Sequence, residues 1–296
     1  MTFPRELERV ARLIEARVDE LLQPEPAPSG LARLIEAMRY AVLGGGKRLR
    51  PFLLIEAARL FDVAEEAALD AGVALECVHC YSLVHDDLPA MDDDKVRRGR
   101  PTAHIAYGEA TAILAGDALL TLAFDILSRP SVHEDARVRV ELIALLASAT
   151  GANGMTGGQA LDLAAEGQSV RAIDVARMQA MKTGALFAFA CDAGAVLGQA
   201  DAVAREALGA YASAFGQAFQ LADDLLDAEG DAVAMGKAVA KDASRGKATL
   251  VALLGIDAAR SRLAALVDDA EATLAPFGDN ATTLKEAARF IATRHS

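Results

Sequence analysis

Residues 71–94 read AGVALECVHCYSLVHDDLPAMDDD. Ala71–Val84 is an apolar run at helical spacing, and the carboxylates of Asp86, Asp87, Asp92, Asp93 and Asp94 follow at once. A helix that is apolar nearly all round packs inside a bundle of other helices. No stretch of the chain shows a convincing period of two, the pattern a half-buried strand needs. Outward from this run, breakers cluster at 23–30 (three prolines), 44–46, 89–101, 129–130, 151–158 and 230–246. Between them, residues 31–43, 64–86, 110–127, 138–150, 172–197, 205–227, 258–274 and 281–293 place apolar side chains at helical spacing, and Pro51 opens one more helix as a first-turn proline. The expectation is an all-α chain: one domain over 1–296, a single large bundle of roughly ten helices, with 172–197 and 205–227 in its middle.

Composition agrees. Of the 296 residues 53% are hydrophobic but only 5% aromatic, with no Trp, and Ala and Leu, both strong helix formers, dominate. A net charge of −12 argues against nucleic acid as a partner. Cys77 and Cys80 have redox or zinc spacing, but no second pair follows and both fall inside the apolar run, so they read as core thiols. Residues 1–20 form an amphipathic, Arg- and Glu-rich pattern without the apolar run of an export signal. The longest uncharged run, 142–161, contains Asn153, Gln159 and four glycines, so no membrane span is expected and the cytoplasm is the expected location.

Two acidic segments carry the chemistry. Carboxylates crowded at the C-terminal end of a helix repel one another and oppose the helix dipole. Asp86, Asp87 and Asp92 therefore read either as a solvated acidic loop or as a hard-cation site, and oxygen-only ligands select Mg²⁺ or Ca²⁺ over zinc. Asp223, Asp224 and Asp227 end one of the most apolar helices. Asp223 and Asp227, four apart, share a face, which is costly beside a core unless metal neutralises them. Mg²⁺ takes few protein ligands and prefers substrate phosphates for the rest. The cations supply the other half. Gly44-Gly45-Gly46-Lys47-Arg48-Leu49-Arg50 puts three of them beside glycines at a helix start, where an anion is favoured. Arg97 and Arg98 follow the first acidic segment with forks that match diphosphate oxygens. His79 lies two turns before Asp86 on the same face. Lys182 and Thr183 interrupt an apolar helix, and Lys237, Lys241 and Lys247 sit in a Gly-flanked stretch usable as a lid over phosphates.

In this order the segments 45–51, 76–99, 154–162, 182–187, 219–227 and 235–255 resemble the trans-isoprenyl diphosphate synthases, most closely the bacterial farnesyl diphosphate synthases. The resemblance implies a helical bundle around a central cavity and a cytoplasmic homodimer. It implies a Mg²⁺-dependent prenyltransferase that condenses isopentenyl diphosphate with dimethylallyl or geranyl diphosphate to give the C15 farnesyl product. Asp86, Asp87, Asp92, Asp223, Asp224 and Asp227 would hold three Mg²⁺ against the allylic diphosphate. Arg97, Lys182, Thr183, Gln220, Lys237 and Lys247 would contact that substrate, and Lys47, Arg50, His79 and Arg98 would hold isopentenyl diphosphate. Tyr81, with Ser82 beside it, lies about 7.5 Å down the helix axis from Asp86 at 1.5 Å per residue. It matches the family position where an aromatic side chain floors the cavity and sets chain length. After Lys247-Ala248-Thr249 this chain has Leu250-Val251 where the family often has an aromatic residue and a proline, a departure that alters packing more than chemistry. The rival readings are a geranyl or geranylgeranyl diphosphate synthase, a terpene cyclase, and a non-catalytic subunit of a heteromeric synthase.

Overall fold

The computed structural model describes residues 3–23, 28–165, 171–234 and 249–293, with side chains to residue 228 in the third stretch. Its contacts divide the chain into two compact units, Met1–Ala144 with Val196–Gln199, and Leu145–Ala195 with Ala200–Ser296.

The first unit holds α1 (Phe3–Leu21), α2 (Ser29–Val42), α3 (Leu49–Arg59), α4 (Glu65–Asp86), α5 (Ala103–Tyr107), α6 (Glu109–Ser128) and the start of α7 (Ala136–Thr150). Helix α3 is buried at Leu49 and continuously from Pro51 to Ala58, and α4 continuously from Asp70 to Val78, so both lie inside the unit. They approach closely at Gly72, where an added Cβ would lie 3.3 Å from the Cβ of Pro51. Each Leu, Val or Ile removed from water in this pair contributes roughly 1.5–3 kcal/mol. Amphipathic α1 lays Val10, Ile14 and Val18 onto the pair. A two-residue antiparallel ladder, β1 (Val96–Arg97) with β2 (Arg100–Pro101), follows the first acidic segment. It turns at Arg98 and Gly99, both at positive φ, and is too short to leave any period-two signal.

The second unit holds α8 (Met155–Ala165), α9 (Ala172–Gln179), a π turn (Ala180–Gly184), α10 (Ala185–Leu197, to residue 195 in this unit), α11 (Ala202–Ala234), α12 (Leu250–Leu254), α13 (Ile256–Thr273) and α14 (Thr282–Thr293). Phe187, Tyr211 and Phe215 are its largest fully buried side chains, joined ring to ring at 5.2 and 5.7 Å.

The chain is all-α, as expected, with fourteen α-helices among the described residues instead of roughly ten. The excess has particular causes. The expected helix 172–197 is divided by the π turn, and two five-residue helices are too short to show periodicity. The glycine-rich stretch 151–158 also breaks only in part. Helix α8 starts at Met155 and includes Gly157 and Gly158, because a Cβ on Gly158 would fall 2.2 Å from the backbone nitrogen of Lys182. Glycine there is a packing requirement between two helices, not a loop signal.

Three segments, Glu65–Asp86, Glu109–Ser128 and Ala172–Leu197, are long and apolar enough to cross a membrane by length and composition. In the first, 72% of the apolar window is buried inside the protein. Cys77, Cys80 and Cys191 are free and buried, and burial pushes the Cys77 thiol up to about 12, which suits inert core residues.

Candidate active site

In the first unit the acidic segment leaves α4 through a compact turn. The Asp92 N–H donates to Asp86 O at 2.8 Å, Met91 N–H to Leu88 O at 2.9 Å and Asp93 N–H to Leu88 O at 3.1 Å. The turn brings the backbone of Asp92 back onto that of Asp86, while Pro89 and Ala90 bulge outward and are exposed. Asp87 is buried, and Arg97 grips it with its fork: Nη2 donates to Oδ1 at 2.7 Å and Nε reaches both oxygens at 2.9 Å. Burial raises the Asp87 carboxyl and the bonds from Arg97 pull it back, leaving a net rise. Arg97 is thus occupied by Asp87 and offsets its charge.

The cations expected to hold the second diphosphate gather in the same unit. Gly45 and Gly46 take positive φ, and the Arg98 guanidinium packs where a Cβ on Gly46 would sit, 2.7 Å from its Cζ. Arg98 also donates to Gly45 O. Arg50 Nη1 lies 3.5 Å from His79 Nε2. Burial, then the charges of Arg50 and Arg98, hold the His79 imidazole well below its ordinary range and hence neutral. Lys47 is exposed. Between these ligand candidates Arg48 does something else. Its side chain is fully buried and bonded to Glu76 and Glu15, so of the three cations in the glycine segment this one belongs to the fold.

Tyr81 is 8% exposed and its ring meets His85 edge-on at 5.7 Å. The Ser82 hydroxyl is turned into its own helix, donating to His79 O at 2.8 Å.

In the second unit Lys182 and Thr183 lie within the π turn. Such a turn departs from the i→i−4 pairing of the α-helix and recurs at functional sites. Lys182 Nζ donates to Asp162 Oδ2 at 2.6 Å. Thr183 Oγ1 donates to Gln220 Oε1 at 3.1 Å, and Gln220 Nε2 donates to Asp224 Oδ1 at 2.9 Å. The other oxygen of Asp224 accepts from Gln179 Nε2 at 3.1 Å. The pair expected to face the core, Asp223 and Asp227, does not. Asp223 is half-buried and Asp227 exposed, while Asp224 is 7% exposed. The reason is the 100° step between neighbours: 223 and 227 share one face, and 224 points to the side occupied by Gln220, four residues earlier. Burial raises the Asp224 carboxyl above its ordinary value, against the bonds from Gln220 and Gln179. Among the described residues no three His, Cys, Asp or Glu side chains converge as a ready-made metal cage. The two buried carboxylates, Asp87 and Asp224, offer oxygen only, the donor type that suits a hard cation completing its shell with substrate oxygens.

A family model described as polyprenyl synthetase matches residues 32–275. The chain belongs to the polyprenyl synthetase family. It is 46% identical over 276 residues to the farnesyl diphosphate synthase of Escherichia coli (strain K12), covering 93% of this chain and 92% of that protein. It is 38% identical over 264 residues to the geranylgeranyl diphosphate synthase of Cyanophora paradoxa, covering 89% and 88%. The apo crystal structure of a FPP/GFPP synthase from Zymomonas mobilis superposes with a TM-score of 0.89 at 48% identity, covering 98% of each chain. This polyprenyl synthetase is therefore a prenyltransferase with the all-α fold of its relatives.

Two residues expected at the active site of this prenyltransferase, Lys237 and Lys247, lie outside the described residues, as does Lys241. Others were missed in the sequence. Asp162 holds Lys182, and Gln179 holds Asp224. Gln159, one turn before Asp162 on α8, is buried with neither amide atom hydrogen-bonded, an unmade pairing that marks it as a candidate ligand contact. Asp162 and Gln159 fall in the matching stretch 154–162, but spacing alone does not join Asp162 to Lys182, twenty residues on.

Proposed function

We propose that this prenyltransferase joins isopentenyl diphosphate head-to-tail to dimethylallyl and then geranyl diphosphate, releasing diphosphate and the C15 product. The observation that carries the reading is the set gathered in the first unit: Arg98 on Gly45 and Gly46, Arg50 on neutral His79, and Asp87 locked to Arg97 beside Asp86 and Asp92. A cationic cradle next to an acidic segment suits one diphosphate bound by cations and a second bound through metal. Terpene cyclases have no use for the first of these.

Mg²⁺ would be held by Asp86, Asp87, Asp92, Asp223, Asp224 and Asp227, three ions in all on the family pattern, and would neutralise the leaving diphosphate. On the family pattern Lys182, Thr183, Gln220, Arg97, Lys237 and Lys247 would add cations and donors to the same substrate. The allylic C1–O bond breaks with its electron pair leaving on the diphosphate oxygen. Backbone and hydroxyl oxygens of the π turn face the positive carbon, and apolar walls keep water from it. The isopentenyl double bond supplies the electron pair of the new carbon–carbon bond, and the proton lost from the adduct goes to the departed diphosphate. No side-chain nucleophile takes part. Lys47, Arg50, His79 and Arg98 hold the isopentenyl diphosphate.

The buried ring of Tyr81 below Asp86 favours C15 over the longer geranylgeranyl product in the name of the Cyanophora relative. We place the enzyme in the cytoplasm as a homodimer, with the apolar helices as packing elements. The exposed Ile113 and Leu114 on α6 support association.

Incubation with isopentenyl and dimethylallyl diphosphates, followed by sizing of the products, tests the proposal. C15 is the expected main product with Mg²⁺, and chelation is expected to lower turnover by at least about 10²–10³-fold. Turnover that survives chelation, or a main product of C20 or longer, would overturn the metal role or the chain length respectively. In the same assay Tyr81→Ala is expected to move the main product to C20 or longer, and unchanged C15 output counts against the floor.

A further inference from the structure

We infer that His85 is the positioning residue of the product-length floor, held in a notch that Gly116 leaves open on α6. The inference rests on the Tyr81 reading above and extends it to what lies behind the ring. Tyr81 and His85 are four residues apart on α4, so their side chains share a face. Their rings meet edge-on, 5.7 Å apart and inclined at 80°. On its far side the imidazole is fixed twice. His85 Nε2 lies 3.0 Å from Ile113 O, so the protonated nitrogen donates to a carbonyl of α6. One turn further along α6, an added Cβ at Gly116 would come within 2.1 Å of His85 Nε2 and 2.5 Å of Cδ2, distances no real Cβ tolerates. The ring therefore fills the space of the missing side chain. Tyr81 cannot tilt toward α6 without displacing a ring that is both bonded and boxed in. His85 touches neither substrate in this scheme; it acts through Tyr81.

Removing the support lowers the floor. His85→Ala frees the Tyr81 ring to tilt into the vacated notch, and the ratio of C20 to C15 products is expected to rise roughly two- to tenfold, the factor one aromatic pair is worth. Gly116→Ala expels the same ring toward solvent, where 28% of the side chain already lies, and is expected to lengthen products less because its methyl refills part of the notch. His85→Phe keeps a ring against Tyr81 and is expected to return the wild-type ratio. Adding Gly116→Ala to His85→Ala is expected to give no further lengthening, since both act through one ring.

The experiment is product sizing of the wild type, these four variants and Tyr81→Ala, with thermal melts to separate folding from specificity. A wild-type ratio in His85→Ala alongside lengthened products in Tyr81→Ala overturns the inference. An unchanged ratio in Tyr81→Ala instead overturns the floor itself. Additive lengthening in the double variant also counts against the shared notch.

Discussion

Asp224→Asn is expected to stop prenyl transfer without unfolding the protein. The predicted fall in kcat at saturating substrate is about 10²–10³-fold, the usual loss when one group that answers developing charge is removed. Asparagine keeps the volume of the side chain and one carbonyl oxygen, so either Gln179 or Gln220 retains its acceptor. The other loses one, a cost of about 1 kcal/mol. Against that stands a relief. Burial raises the Asp224 carboxyl above its ordinary value, so without metal its charge is a burden at neutral pH. The two effects oppose, and in chelator the melting temperature is expected to stay within about 4 °C of the wild type. With Mg²⁺ and a diphosphate added the wild type should gain stability and the variant much less. Asp87→Asn provides the contrast. It too loses activity, but it takes away the carboxylate that Arg97 grips through both Nε and Nη2, so it is expected to lose about 1–3 kcal/mol of stability as well. Activity of Asp224→Asn within threefold of the wild type, or a melt like that of Asp87→Asn, would refute this account of Asp224.

The two aspartates also mark how far the sequence could be read. Helical periodicity placed the long elements within a few residues: 64–86 was expected and Glu65–Asp86 is found, 110–127 was expected and Glu109–Ser128 is found. Periodicity reports which face is apolar, and these helices each have enough turns to average over. It does not report which neighbour covers a polar residue inside an apolar run. The pair 223 and 227 was therefore singled out by its spacing, while the buried carboxylate is Asp224, covered by Gln179 from another helix. The pairing of Lys182 with Asp162 is hidden for the same reason, as is the π turn that carries Lys182 and Thr183. Glycines misled in one direction only. At 151–158 they read as a loop because local propensity ignores the close approach of α8 to Lys182, which only a missing Cβ permits. Arg97 was legible as a cation next to an acidic segment, but its choice of Asp87 as partner depends on the turn at Leu88–Met91 and the short ladder after it.

The largest loss of stability is expected from Glu76→Leu. Arg48 and Glu76 have side-chain exposures of 0% and 2%, and Nη1 donates to Glu76 Oε1 at 2.6 Å. Nη2 reaches Val42 O at 2.5 Å and Glu15 Oε1 at 3.0 Å. One guanidinium thus ties α1, the end of α2, the start of α3 and the middle of α4. Without Glu76 it stays buried against a backbone carbonyl and the half-solvated Glu15, and breaking such a pair costs about 3–5 kcal/mol. A melt lowered by roughly 6–20 °C is the expected reading. Replacing both partners, Arg48→Met with Glu76→Leu, removes the stranded charge and is expected to recover most of that loss, because a buried pair and a well-packed apolar pair often differ little. Recovery of stability should not restore function in full. Arg48 sits at φ 51, a left-handed conformation that costs a non-glycine residue about 1–3 kcal/mol and persists only where surroundings enforce it. With its anchor gone the backbone relaxes between Lys47 and Arg50, the two cations proposed for isopentenyl diphosphate. Misplacement near 1 Å can cost about 10²-fold, so KM for isopentenyl diphosphate is expected to rise at least about tenfold while KM for the allylic substrate holds. Equal stability losses in the single and double variants would show that no buried charge is stranded. A double variant with both KM values unchanged would show that Arg48 holds the helices together without setting the position of its neighbours.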